Sequence, residues 1–106
     1  MSDADFYCDE VFSGRTEVRV VRETSTVLAF HHTKPSYPVH IVVVPKKHIP
    51  SLTTASEDDW PLVVETLSIA REVARDIECS QGRCSLVTNL GDYQDSKHLH
   101  WHILVR

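Results

Sequence analysis

The sequence predicts an α+β domain in which a five-stranded antiparallel sheet is crossed by one long helix. Short β-branched runs occupy both halves of the chain, a three-and-four-residue apolar period fills the stretch between them, and Pro, Gly and Ser/Thr clusters punctuate the joins. At 106 residues the chain is one domain spanning 1–106, and its 42% hydrophobic content is enough for a single core.

Residues 16–23 alternate about Val18 and Val20, and residues 26–30 follow after a Ser/Thr break, so the pair reads as a hairpin. Pro35 and Pro38 then enforce an extended loop, and residues 39–45, rich in Val and Ile, read as a central strand. Val63, Leu67, Ala70, Ala74 and Ile77 mark one face of a helix ending near Ile77. Ser56 with Asp59 suggests a capping box, and Pro61 suits the first turn. Residues 84–89 and 97–105 complete a five-strand set that can meander, with the helix inserted between the third and fourth strands.

Net charge is −4 with the two signs interspersed, and no basic run exists to follow a polynucleotide backbone. Cys8, Cys79 and Cys84 are an odd, scattered set, which points to reduced thiols and a cytoplasmic protein. The acidic start lacks the order of a signal peptide and no apolar run reaches membrane-spanning length, so a soluble protein with no membrane partner is expected.

The chemistry lies in "HLHWHILV". On a strand His98, His100 and His102 share one face, while Leu99, Trp101, Ile103 and Val105 line the other. Such a row is an exposed strand surface, a metal site, or a phosphoryl-transfer site in which a neutral imidazole attacks phosphorus. The preceding loop, with Asn89, Gly91, Gln94 and Ser96, supplies amides and hydroxyls suited to phosphate oxygens and favours the third reading.

With these residues in view, the chain resembles the histidine triad (HIT) superfamily, whose motif His-φ-His-φ-His-φ-φ is met throughout by "HLHWHIL". "STVLAFHHTKPSYPVHIVVVPKKHI" and "VTNLG" resemble two further family blocks in the same order, so the likeness covers nearly the whole chain. It is greatest to the Hint branch. The resemblance implies the same sheet and helix with a short N-terminal helix, a homodimer, and hydrolysis of nucleotidyl conjugates such as phosphoramidates. The reaction runs through a covalent nucleotidyl-histidine and needs no cofactor.

By position, His100 becomes the nucleophile, with the His98 carbonyl holding its tautomer. His102 bonds the phosphate or leaving group, and His98 joins His40 in a supporting network. Asn89, Gln94 and the amides around Asp95 and Ser96 would stabilise phosphoryl charge, while Tyr7, Val11 and Phe30 would wall the base pocket or simply belong to the core. The family pattern is broken where His32 replaces a sugar-gripping acid, and where Asp95 stands in a shortened loop at the place of a hydroxyl. Bacterial relatives carry a structural zinc; the matching positions here are Asp5, Cys8, His48 and His98, a mixed and less favourable donor set.

Overall fold

A computed structural model describes residues 6–106. The alternating runs become β1 (Val20–Glu23), β2 (Val27–His31), β3 (Val39–Pro45), β4 (Ser85–Val87) and β5 (Trp101–Val105). They form the five-stranded antiparallel sheet that the sequence predicts, in the order β1-β2-β3-β5-β4. The order is not a simple meander. The helix carries the chain to the outer edge, where β4 forms, and β5 returns to pair with both β3 and β4.

Ser56 Oγ accepts from the Asp59 N–H at 3.3 Å and starts a short 3-10 turn, Glu57–Asp59, which leads into α1 (Trp60–Gln81) with Pro61 in its first turn. The helix outruns the expected end at Ile77 by one turn, because the next residue able to take a left-handed cap is Gly82, at φ 82°. Its buried face is Val63, Thr66, Ala70 and Val73, with Leu67 displaced to the exposed side. Thr66 tolerates burial because its hydroxyl donates to the Leu62 carbonyl at 2.7 Å.

Period-two alternation sorts the strands into two faces. Val27, Ala29, Ile41, Val43, Trp101 and Ile103 pack beneath α1 against Ala70 and Val73. Leu28, Phe30, Val42 and Val44 face the other way, where the helical turn Tyr7–Val11 covers them with Tyr7 and Val11. The Phe6 N–H donates to Ser96 Oγ at 3.1 Å and ties that turn to the loop before β5. Each large apolar side chain buried this way stabilises by about 1.5–3 kcal/mol.

Two strands are shorter than the alternation suggests. β1 is regular only from Val20, with a register shift before Arg22, because Val18 has left the ladder to pack against the N-terminal turn. β5 is regular only from Trp101, so His98 and His100 lie on the segment leading into it. Among the described residues no helix is long and apolar enough to cross a membrane.

Candidate active site

His40 sits opposite Leu104 and His102 opposite Val42, so the two imidazoles are diagonal neighbours on the face away from α1. The Ser36 N–H donates to His40 Nδ1 at 3.1 Å. That bond places the ring proton of neutral His40 on Nε2, which donates to His102 Nδ1 at 2.8 Å. His102 is thereby left with Nε2–H as a donor. A backbone amide thus sets the tautomers of two histidines in series.

His100 is fixed differently. Its Nδ1–H donates to the His98 carbonyl at 2.6 Å, which leaves the ring's lone pair on Nε2, and Nε2 has no hydrogen-bond partner among the described residues. The Thr88 hydroxyl holds the His100 carbonyl at 2.8 Å, and the Leu99 N–H holds the Ile49 carbonyl at 2.6 Å. Burial, then the neighbouring imidazoles His100, His40 and His32, pushes His102 down to about 3. Burial followed by His32 and His100 pushes His40 down to about 4. Burial also lowers His100, against a smaller opposing effect of its bond to the His98 carbonyl. At neutral pH all three rings are uncharged, the state in which Nε2 of His100 is a nucleophile.

The row of histidines does not act as one unit. The expected grouping of His98 with His40 is replaced by the His40–His102 pair. His98 is fully buried instead, with Nε2–H on the Pro45 carbonyl at 2.8 Å and Nδ1 3.6 Å from Cys8 Sγ. The physical reason is the late start of β5: ahead of Trp101 the chain is not held in the strand's register, and His98 turns toward the N-terminal segment.

Cys8, His48 and His98 each offer a ligand atom within 4.8 Å of the others. A thiolate and two imidazoles suit zinc, and the Pro45 carbonyl accepts the Nε2–H of His98 and so leaves Nδ1 with the lone pair a metal needs. The residues therefore fit a metal; Asp5, the remaining expected ligand, lies outside the described residues. His32, His40 and His102 also bring ring nitrogens within 4.8 Å. There a cation would require His40 to surrender its bond to Ser36 or to His102, and the His32 Nδ1 lone pair is already taken by the Lys34 N–H.

Of the cavities that meet the histidines, two adjoin at His32 and Lys34. One of about 510 Å³ is lined by His32, Lys34, Tyr37, Asn89, Asp95 and His102. A smaller one, about 180 Å³, is lined by Phe6, Tyr7, Phe30, His32, Thr33 and Lys34. Phe30 and Tyr7 thus serve both core and cavity wall, whereas Val11 packs in the core cluster. Gln94 is buried with its amide Nε2 donating to the Pro50 carbonyl at 2.6 Å, and Ser96 receives the Phe6 N–H. Both side chains hold loops in place around the cavity.

Residues 13–106 match the HIT domain. The chain belongs to the HIT family. It is 36% identical over 101 residues to an uncharacterized HIT-like protein of Synechocystis sp., covering 91% of this chain and 89% of that one. Among solved structures it is similar to a histidine triad protein from Clostridium difficile, at 32% identity and TM-score 0.80, covering 94% of this chain and 88% of the other. A HIT family hydrolase from Clostridium thermocellum superposes with TM-score 0.82 at 26% identity, covering 96% and 90%.

Within this HIT chain, sequence reasoning passed over Lys34, Ser36 and Tyr37. They occupy the loop between β2 and β3, where all three line the larger of these cavities and the Ser36 amide sets the His40 tautomer. The signal was present in Pro35 and Pro38, which stiffen that loop, but a backbone amide leaves no side-chain signature.

Proposed function

We propose that this protein is a nucleotide phosphoramidase or hydrolase of the Hint type, acting at the α-phosphate of a nucleotidyl conjugate through His100. The observation that carries the reading is the His100 Nδ1–H bond to the His98 carbonyl, which leaves a neutral ring with an open Nε2. In the first step Nε2 attacks phosphorus, a P–N bond forms to His100, and the substrate's P–N bond breaks. The departing amine keeps the electron pair and takes a proton from solvent. Water then attacks phosphorus and gives up a proton to solvent, the bond to His100 breaks with its electron pair returning to Nε2, and the nucleotide leaves with the neutral ring restored.

His102, held neutral well below physiological pH, serves as a hydrogen-bond donor to the phosphoryl oxygen rather than as an acid. Asn89 lines the same cavity and would stabilise the same charge. The Phe6, Tyr7 and Phe30 cavity would take the base. The reaction needs no cofactor; zinc on Cys8, His48, His98 and Asp5 would supply only structure, pinning the N-terminal turn whose Tyr7 ring lies 5.1 Å from that of His100. We further assign a cytoplasmic homodimer, consistent with exposed Leu86 on the edge strand β4 and exposed Val64 and Leu67 on α1.

The test is release of a fluorescent amine from its adenosine 5′-phosphoramidate, with acid-free quenching and mass spectrometry to locate the nucleotidyl group. Turnover is expected in the wild type and the adduct on His100; unchanged turnover in His100→Ala rules out the assigned nucleophile. Asp95 beside the phosphate cavity favours one other outcome, a module that binds mononucleotide yet releases no product.

A further inference from the structure

We infer that Asp95 is the proton acceptor of the second step, its carboxylate taking a proton from the water that attacks the nucleotidyl-histidine. The inference rests on the nucleotidyl-transfer reading above, and it puts a protein group on the path by which that proton reaches solvent.

The loop before β5 holds this side chain at the polar cavity. Gln94, in extended backbone, is buried with its amide on the Pro50 carbonyl at 2.6 Å, and Ser96 is buried with its hydroxyl under the Phe6 N–H at 3.1 Å. Both neighbours turn inward and are bonded there, so Asp95 between them is exposed and lines the cavity that also holds His102 and Asn89. Its charge is felt at His100 and at His32, where it opposes the fall that burial imposes on each ring. With the nucleobase in the aromatic cavity and Nε2 of His100 on phosphorus, the polar cavity is the space left for the departing amine. Attacking and leaving groups stand roughly in line across phosphorus, so water enters where the amine has left.

Among the described residues, no other side chain lining that cavity can take the proton. His40 has both ring nitrogens engaged, by the Ser36 N–H and by His102, and the Nδ1 of His32 accepts the Lys34 N–H. The Nδ1 of His102 accepts from His40, and burial with the neighbouring imidazoles pushes that ring down to about 3. Lys34 and Arg106 offer no acceptor, and the Asn89 amide and the Ser36 and Tyr37 hydroxyls are weak bases. Asp95 remains. As the water oxygen bonds to phosphorus, an Asp95 carboxylate oxygen takes its proton, and the P–N bond to His100 breaks with its electron pair returning to Nε2. The carboxylic acid then releases the proton to solvent.

The experiment separates the two steps by acid-free rapid quench with an adenosine 5′-phosphoramidate. It measures amine release in the first turnover, and by mass spectrometry the rate at which nucleotidyl-His100 decays, in the wild type, Asp95→Asn, Asp95→Ser and Asp95→Glu. Asp95→Asn and Asp95→Ser should keep a stoichiometric burst of amine, which reports an intact site, while decay of the adduct slows by at least about tenfold; Asp95→Glu should recover part of that rate. Decay that is unchanged or faster in both Asp95→Asn and Asp95→Ser overturns the inference and leaves the reaction intact, the carboxylate then doing no more than repel phosphate. A loss shared equally by burst and decay overturns it too, since a base for water has no part in the first step. A wild-type adduct that forms and is not hydrolysed retains the nucleophile and overturns the inference. No amine from the wild type overturns both.

Discussion

The two faces of the sheet are made by the same strands and hold together in different ways. Under α1 the contacts are apolar, and the Trp101 indole N–H is the one buried side-chain donor without a partner among the described residues. On the opposite face apolar packing covers only part of the area; the remainder is a set of imidazoles, of which His40, His32, His100 and His98 are oriented by the Ser36 and Lys34 amides and the His98 and Pro45 carbonyls, and His102 by the His40 ring. A face built for chemistry thus exchanges dispersion and hydrophobic burial for directional bonds that fix tautomers.

The sharpest way to break this contrast is a pair of truncations, one in β5 and one on the segment leading into it. His100→Ala should lower phosphoramidate turnover by at least about a thousandfold while changing the unfolding free energy far less than a core truncation does. Ile103→Ala, at a fully buried position under α1, should do the reverse, costing about 2–5 kcal/mol in urea unfolding. Equal effects of the two on stability would show that the faces are not functionally separate.

Acidification should strike one face only. His40 and His102 ionise in the folded chain at about 4 and about 3, below the value near ~6.5 expected in the unfolded chain. The unfolded state therefore binds protons first as pH falls, and the stability these neutral rings contribute is complete above ~6.5 and declines through the window down to about 3. Urea midpoints measured from pH 7 to pH 4 should fall in the wild type, and fall less steeply in the double variant His40→Gln with His102→Gln.

Smaller effects sharpen the comparison. Trp101→Phe removes the unpartnered donor from the apolar face along with some volume, and the two changes should offset to within about 1 kcal/mol by thermal unfolding. Gly82→Ala should cost about 1 kcal/mol through its positive φ alone, since no atom lies within 4 Å of the added methyl, and should leave the kinetics untouched.

Much of the fold was legible because periodicity reports directly on what is buried. β3 and the α1 start follow the apolar pattern and the Ser56 and Pro61 signals closely. The odd residues Leu99, Trp101, Ile103 and Val105 are all buried, as their alternation with the histidines implies. Strand order, the end of α1 and the position of Leu67 were not legible, since each depends on which element arrives beside it. For the site, the bond from His100 to the His98 carbonyl is present, whereas Gln94 and Ser96 spend their side chains on Pro50 and Phe6.

By itself the sequence determined the fold class, the family and the presence of three histidines ahead of and within the last strand, because local spacing and residue chemistry are properties of the chain alone. Only the tertiary structure decided that His98 belongs with Cys8 while His102 belongs with His40, and that the Nδ1 of His32 is taken up by the Lys34 amide. Those outcomes turn on side chains that distant segments bring together and on nearby backbone amides aimed at a ring nitrogen, and neither a meeting of segments nor the direction of an amide is written in residue type.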